Sequence, residues 1–324
     1  MSAKPRPTLA HVARAANVSI TTASASLRGT GRVNPQTRDH VLAVAKRLGY
    51  RRHVGASSLR EGGNRLVGVV LETGAFDDDP LNPKLFWPRF LNGFVGELNA
   101  AEAGVVLVSR ENLGPLAKLP MDALVVLADL VVELSEAMPF GMPIIGGTFE
   151  TGAELAVITH DYAAVAREAL GHLRSQGATQ VAAVVTEVPM PTQTVIYANF
   201  EREAIASGLG FSYIDCTTAA IEAAVNDGTD AIVTTGHNLA GTIAAVRSTG
   251  RSIPEDVLFM SLSEGNIAII CDPPVTTLSF RGYESGRRSA QMIAAGLDSG
   301  KFESILLPYE LVIRESTGGP RRSG

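Results

Sequence analysis

The chain has 324 residues, more than one ordinary hydrophobic core holds, and its 45% apolar and 6% aromatic content fits a water-soluble protein of two or three domains. Its net charge of −5 is uneven: residues 1–65 hold twelve Lys or Arg against two acids, a net +10, while the remainder holds sixteen against thirty-one, a net −15. Apolar runs such as LVGVVL and ALVVLA are far shorter than the ~20 residues of a membrane span, MSAKPRPT lacks the apolar core of a secretory signal, and two distant cysteines, Cys216 and Cys271, argue against a disulfide framework and for a reducing cytoplasm. Six scattered histidines show no ligand spacing, so no metal is expected; no cofactor is expected either. A small basic segment on an acidic body implies that the segment alone meets a polyanion.

That segment carries regular helix signals. Thr8 caps a first helix, in which Leu9, Val12, Ala13 and Ala16 share a face. Asn17 suits the left-handed residue that ends it, and Val18 plugs the space between helices. Ser19 caps a second helix with Ala23 and Leu27 turned inward. Asn34-Pro35 starts a third, whose buried stripe is Val41, Leu42, Ala45 and Leu48 and whose stop is Gly49. Three short helices with a tight first turn describe a helix-turn-helix head, whose second helix lies in the DNA major groove.

After a linker, RRHVGASSLREGGNR, the pattern changes. LVGVVL, GVVLVS, ALVVLA, PIIGG and LAVIT read as buried parallel strands, followed by QVAAVVT, FSYID, DAIVTT, VLFMSL and VTTLS. Helices are expected over 88–103, 161–176, 194–207, 217–226, 237–249 and 282–300. Two successive blocks of this kind predict two doubly wound parallel-sheet subdomains with a ligand cleft between them.

TLAHVARAANVS, then T-A-S, then GRVNPQTRDHVLAVAKRLGYR resembles the DNA-binding domain of the lac repressor (LacI/GalR-type) family. The likeness continues through LNP at 81–83, IPEDV at 253–257, PPVTTL at 273–278, YESGRR at 283–288 and LLPYELVIRESTG at 306–318, and is weakest near 110–160 and 186–240. It implies an all-α helix-turn-helix head, residues 1–52, a hinge, 53–65, and a periplasmic-binding-protein-like effector and dimerisation body, 66–324. Three crossings near 160, 280 and 310 would split the body into 66–160 with 281–310 and 161–280 with 311–324.

By the same resemblance Ile20, Thr21 and Ala25 read bases, and Thr22 and Ser24 contact phosphate or orient the helix. Thr8, Ser19, Arg28, Arg32, Asn34 and Arg52 complete the DNA contacts, and Leu59 is the hinge wedge in the minor groove. Ala25 stands where the family usually has an Arg that reads guanine. Either Ala25 makes apolar base contacts or it packs against another helix. The hinge also departs from the family at Arg52, His53 and Ser57, and Gly55 lowers its helix propensity.

In the cleft, Asp161 matches the family's crossover Asp, while Ile196 replaces an effector-binding Arg. Thr235-Gly236 or Gly236-His237 replace an Asn-Asp pair, and Ser263 replaces a late Asp. Phe86 and Trp87, in a loop near the cleft mouth, either stack on a ligand or pack inside; Asp79 ends an acidic run beside them. With most charged sugar contacts gone, the effector is not a plain neutral sugar, or effector binding is lost.

These readings lead to a DNA-binding transcriptional regulator, a repressor on a palindromic operator. It acts as a cytoplasmic homodimer, with double-stranded DNA and an unidentified small molecule as partners and no membrane. A solute-binding protein is the alternative; the basic head and the missing signal argue against it. An enzyme is not expected: GxSxG, HExxH and GxxxxGK[ST] are absent, and Glu201 and Glu203 face apart on a helix.

Overall fold

The computed structural model describes residues 7–29, 31–48, 50, 65–71, 85–110, 112–113, 116, 119, 121–127, 142–147, 155–186, 191–236, 238–262 and 267–318. Three helices open the chain: α1 (Leu9–Ala15), α2 (Ile20–Arg28) and α3 (Pro35–Leu48). There follow β1 (Arg65–Leu71), α4 (Phe86–Ala100), β2 (Ala103–Ser109), β3 (Ala123–Leu127), β4 (Ile144–Gly146), β5 (Ala156–Thr159), α5 (Tyr162–Ser175), β6 (Gln180–Val185) and α6 (Pro191–Ser207). The chain continues with β7 (Gly210–Asp215), α7 (Thr218–Asn226), β8 (Ala231–Thr234), α8 (Leu239–Ser248), β9 (Leu258–Ser261), α9 (Ile267–Ile270), β10 (Thr276–Ser279), α10 (Gly282–Ser299), β11 (Ile305–Leu306) and β12 (Glu310–Val312).

The head closes on Val12, Ala13, Ala16, Ala23, Leu27, Val41, Val44, Ala45 and Tyr50, with Leu9, Val18 and Leu42 half-buried around them. The expected stripe of α3 needs one correction. Val44, one turn on from Val41, is buried at 2% exposure, whereas Leu48, the last helical residue, is 36% exposed.

The strands form two six-stranded sheets, ordered β11-β5-β4-β3-β1-β2 and β12-β10-β9-β8-β6-β7. All pairs of the first are parallel; in the second, β12 runs antiparallel to β10. Central strands are apolar on both faces because helices cover both. In β6 and β8, Val181, Ala183, Ala231 and Val233 face α5 and α6, while Val184 and Ile232 face α7 and α8. Two strands expected to be buried are sheet edges: β7 has no buried residue, and in β2 Leu107 is exposed. The short β11, β12 and α9 had no counterpart among the expected elements.

The chain passes from the first sheet to the second between β5 and α5. It returns after β10, where α10 packs its Ala290, Ile293 and Leu297 with Phe90, Phe94 and Leu98 of α4. It passes to the second sheet again between β11 and β12. Where α4 meets α10, Gly93 faces the Tyr283 carbonyl and Gly286 faces the Phe90 carbonyl, so near that a Cβ on either would overlap backbone. Each sheet reverses strand order once, between β1 and β3 and between β6 and β8. Ligands of doubly wound sheets bind outside the carboxyl ends of strands at such reversals.

Candidate DNA interface and ligand cleft

The turn between α1 and α2 is built from side-chain caps. Thr8 Oγ1 accepts from the His11 amide at 3.4 Å, and the Thr8 amide donates back to His11 Nδ1 at 3.1 Å. Asn17 takes φ 52°, the left-handed conformation that Asn tolerates. Ser19 Oγ accepts from the Thr22 amide at 3.0 Å and bonds the Thr22 hydroxyl at 2.8 Å. The cap therefore occupies Ser19 and Thr22 with each other and aims the first turn of α2 outward: Ile20 is 56% exposed and Thr21 is exposed beside it.

Ser24 and Ala25 are half-buried one turn on, and Arg28, Arg32 and Asn34 are exposed. Gly31 lies against Ala25 closely enough that a Cβ there would sit 3.7 Å from the Ala25 methyl. Asn34 Oδ1 accepts from the Gln36 amide at 2.9 Å and so starts α3. Arg52 and Leu59 lie outside the described residues.

At the carboxyl ends of the strands, Asp161 follows β5 and caps α5, accepting from the Ala164 amide at 2.9 Å while staying exposed. Thr235 and Gly236 follow β8; Gly236 has φ 91°, and the Thr235 hydroxyl accepts from Gln193 Nε2 at 2.9 Å. Ile196, on α6, is buried at 4% in the core with Tyr162, Val165 and Phe200, so it offers that position no charge. Asp79, His237 and Ser263 lie outside the described residues. Phe86 and Trp87 are in the first turn of α4, not in a loop, and are half-buried against the first core. Pro88 does not delay the helix, because its third position needs no amide donor.

His160, absent from the sequence-derived candidates, occupies the first crossing. Its ring lies 4.7 Å from Phe280 on the second crossing, 5.8 Å from Tyr162 and 6.4 Å from Phe86, whose own neighbour Trp87 is 5.0 Å away. Burial pushes its pKa down to about 4, opposed by a hydrogen bond to the Leu307 backbone on the third crossing. Its Nδ1 is buried without a hydrogen-bond partner.

The folded chain therefore refuses a proton that the unfolded chain takes up. Stability contributed by neutral His160 is complete above the ordinary pKa of 6.5 and is lost as pH falls toward 4, by about 3 kcal/mol. Denaturant titrations at pH 7 and pH 4 should show His160→Phe narrowing the stability gap by about this amount; an unchanged gap places the titration elsewhere. His172, whose pKa burial also lowers, adds to the acid loss in both proteins.

Among the described residues no helix is long and apolar enough to cross a membrane, and no group of His, Cys, Asp or Glu could hold a metal ion. Residues 8–53 match the model of bacterial regulatory proteins of the lacI family, and residues 170–317 match that of the periplasmic binding protein-like domain. The chain is 26% identical to the HTH-type transcriptional regulator CelR of Thermobifida fusca, over 98% of this chain and 100% of that one. Among solved structures it resembles the lac repressor dimer bound to operator and the anti-inducer ONPF, with TM-score 0.66 and 19% identity over 97% and 99% of the two chains. It also resembles a CelR–cellobiose complex, with TM-score 0.64 and 22% identity over 96% and 100%.

A capped helix-turn-helix on two doubly wound sheets is a transcriptional regulator with a DNA-binding head and an effector-binding body. The chain belongs to the lacI family of bacterial regulatory proteins.

Proposed function

We propose that this regulator is a repressor that binds a two-fold symmetric operator as a homodimer and is modulated by a small molecule held between its two sheets. The carrying observation is the first turn of α2: Ile20 and Thr21 stand exposed beyond the Ser19 cap, on a segment of net charge +10. In this reading residues 1–52 enter the major groove, with Ile20, Thr21 and Ala25 at base edges. Thr8, Ser19, Thr22, Ser24, Arg28, Arg32, Asn34 and Arg52 lie along the backbone, and Leu59 of the hinge 53–65 wedges into the minor groove. The body 66–324 divides at the crossings near 160, 280 and 310. Its effector contacts are drawn from Asp79, Phe86, Trp87, Asp161, Ile196, Gly236, His237 and Ser263. Binding-site selection from random duplex DNA with the full chain at two salt concentrations tests the reading. An inverted repeat with salt-sensitive affinity, lost in Leu59→Ala, is the expected result; no enriched motif overturns it.

The dimer has support in the second sheet. Ala240, Ile243 and Ala244 of α8 and Ile267, Ile270 and Cys271 form an apolar groove, rimmed by Arg247 and Asp272. Ile270 is 76% exposed, and Arg247 Nη2 meets Asp272 Oδ2 at 3.0 Å on the rim. A groove with an apolar floor and charges of both signs is self-complementary across a two-fold axis. The lac repressor structure with the similar fold is a dimer on its operator.

Base reading yields a further expectation. Ala25 is half-buried and offers only a methyl group. Ala25→Arg supplies a bidentate guanine donor, so the selected half-site should gain a guanine there, preferred by about 1–3 kcal/mol. An unchanged half-site would mean that position 25 faces the Gly31 turn and not the bases.

A further inference from the structure

The three crossings meet at His160, and the ring they enclose has one unused polar atom. It lies on the first crossing, contacts Phe280 on the second and bonds the backbone of Leu307 on the third. The Leu307 backbone contact raises the basicity of the ring, as a carbonyl acceptor does; a neutral imidazole that donates there through Nε2 carries its free lone pair on the unpaired Nδ1. That atom is buried and without a partner. A buried acceptor left unpaired is costly and calls for a reason. The surroundings are flat and apolar: Phe86, Tyr162 and Phe280 each lie within ring-contact distance of His160, and Trp87 adjoins Phe86.

Among the described residues, the charges next to this point are engaged elsewhere. Asp161 caps α5, and Arg281, next to Phe280, pairs with Glu310 at 3.2 Å. Ile196, where a charged anchor would stand, is buried in the core. Among the described residues, a ligand here is met by ring faces and one neutral acceptor.

We propose that Nδ1 of His160 accepts a hydrogen bond from the effector, and that the effector is an uncharged, flat aromatic compound with an N–H or O–H on its edge. The inference rests on the reading of the cleft as the effector site, and names the class of ligand that site takes. Ring faces of Phe86, Tyr162 and Phe280 supply stacking and area, and the His160 acceptor supplies discrimination. A site built to bond a hydroxyl rejects the analogue that lacks it, because its own buried group then stays unpaired.

Phenol and toluene are the probes, equal in size and different only in the donor. Binding to the full chain without DNA is read from fluorescence of Trp87, the one tryptophan of the sequence, and from the ¹⁵N resonances of labelled histidine. Phenol should bind the wild-type chain about tenfold more tightly than toluene and should move the His160 Nδ1 resonance. His160→Phe keeps a ring and removes the acceptor, and should make the two probes equal. Equal binding of both probes to the wild type, binding of neither, or a phenol preference that survives in His160→Phe each overturns the proposal. Should His160→Phe fail to fold, the wild-type ratio and the Nδ1 shift decide alone. Equal binding of both probes leaves the reading of the cleft standing and overturns only the His160 acceptor, whereas binding of neither counts against the cleft as well, so the two failures are distinguishable.

Discussion

Ile270→Glu should convert the dimer to a monomer and lower operator affinity about 1000-fold, with the fold intact. Ile270 is 76% exposed on α9 and belongs to the apolar floor of the groove with Ile243 and Ile267. A carboxylate placed there adds like charges across a two-fold axis and must be desolvated without a partner. Each head alone reads only a few base pairs. Pairing two of them makes the second contact intramolecular, and such linkage strengthens binding by about 10²–10⁴ without any new contact. Sedimentation and operator titration measure both halves of the expectation. Ile205→Glu is the control: Ile205 is 70% exposed, but α6 packs on the opposite face of the second sheet from α8. A dimeric Ile270→Glu protein with unchanged operator affinity would remove this groove from the interface.

The architecture was readable because its signals are local and redundant. Ten strands announced themselves as short apolar runs, which sheets covered on both faces require. The caps at Thr8, Ser19 and Asn34 were visible for the same kind of reason: each acts within three residues of itself. What stayed hidden depends on longer range or on length. β11 and β12, of two and three residues, are too short to carry a period. β7 looked buried because Phe211, Tyr213 and Ile214 are apolar, yet only its place at the sheet edge decides its exposure. Leu48 keeps helical spacing from Ala45, but as the last residue of α3 it is 36% exposed, whereas Val44, one turn after Val41, is buried.

The candidate cleft was legible in one direction only. The resemblance implies the loss of polar and charged contacts at 196 and at 235–236 or 236–237, and the structure places Ile196 in the core. What replaces them could not be read. His160 stands as a single histidine after an apolar strand, with Phe280 120 positions and Leu307 147 positions further along the chain. No spacing rule connects the three; only the meeting of the crossings does. A histidine directly before a capping Asp at a crossover is the one local hint that pointed to it.

Gly286→Ala should destabilise the chain by about 4 kcal/mol, more than any surface change and against the usual helix preference for Ala. α10 and α4 touch backbone to backbone at this point. A Cβ on Gly286 would overlap the Phe90 carbonyl oxygen, and one on Gly93 would overlap the Tyr283 carbonyl. Both obstacles are main-chain atoms, which no rotamer change moves aside. Relief requires the helices to separate, and that opens the layer formed by Phe90 and Phe94 of α4 and Ala290 and Ile293 of α10. The methyl therefore adds overpacking to a loss of core contact. Gly96, on α4 but exposed, has nothing within 4 Å of a Cβ. Gly96→Ala should stabilise by about 1 kcal/mol through helix propensity alone. Urea titrations of the two variants separate the causes: opposite signs assign the effect at Gly286 to the helix contact, and equal small shifts would show that α4 and α10 part without cost. The same contact joins the helix that follows the second crossing to the first sheet. Its loosening should therefore also weaken the response of Trp87 fluorescence to a bound ring compound.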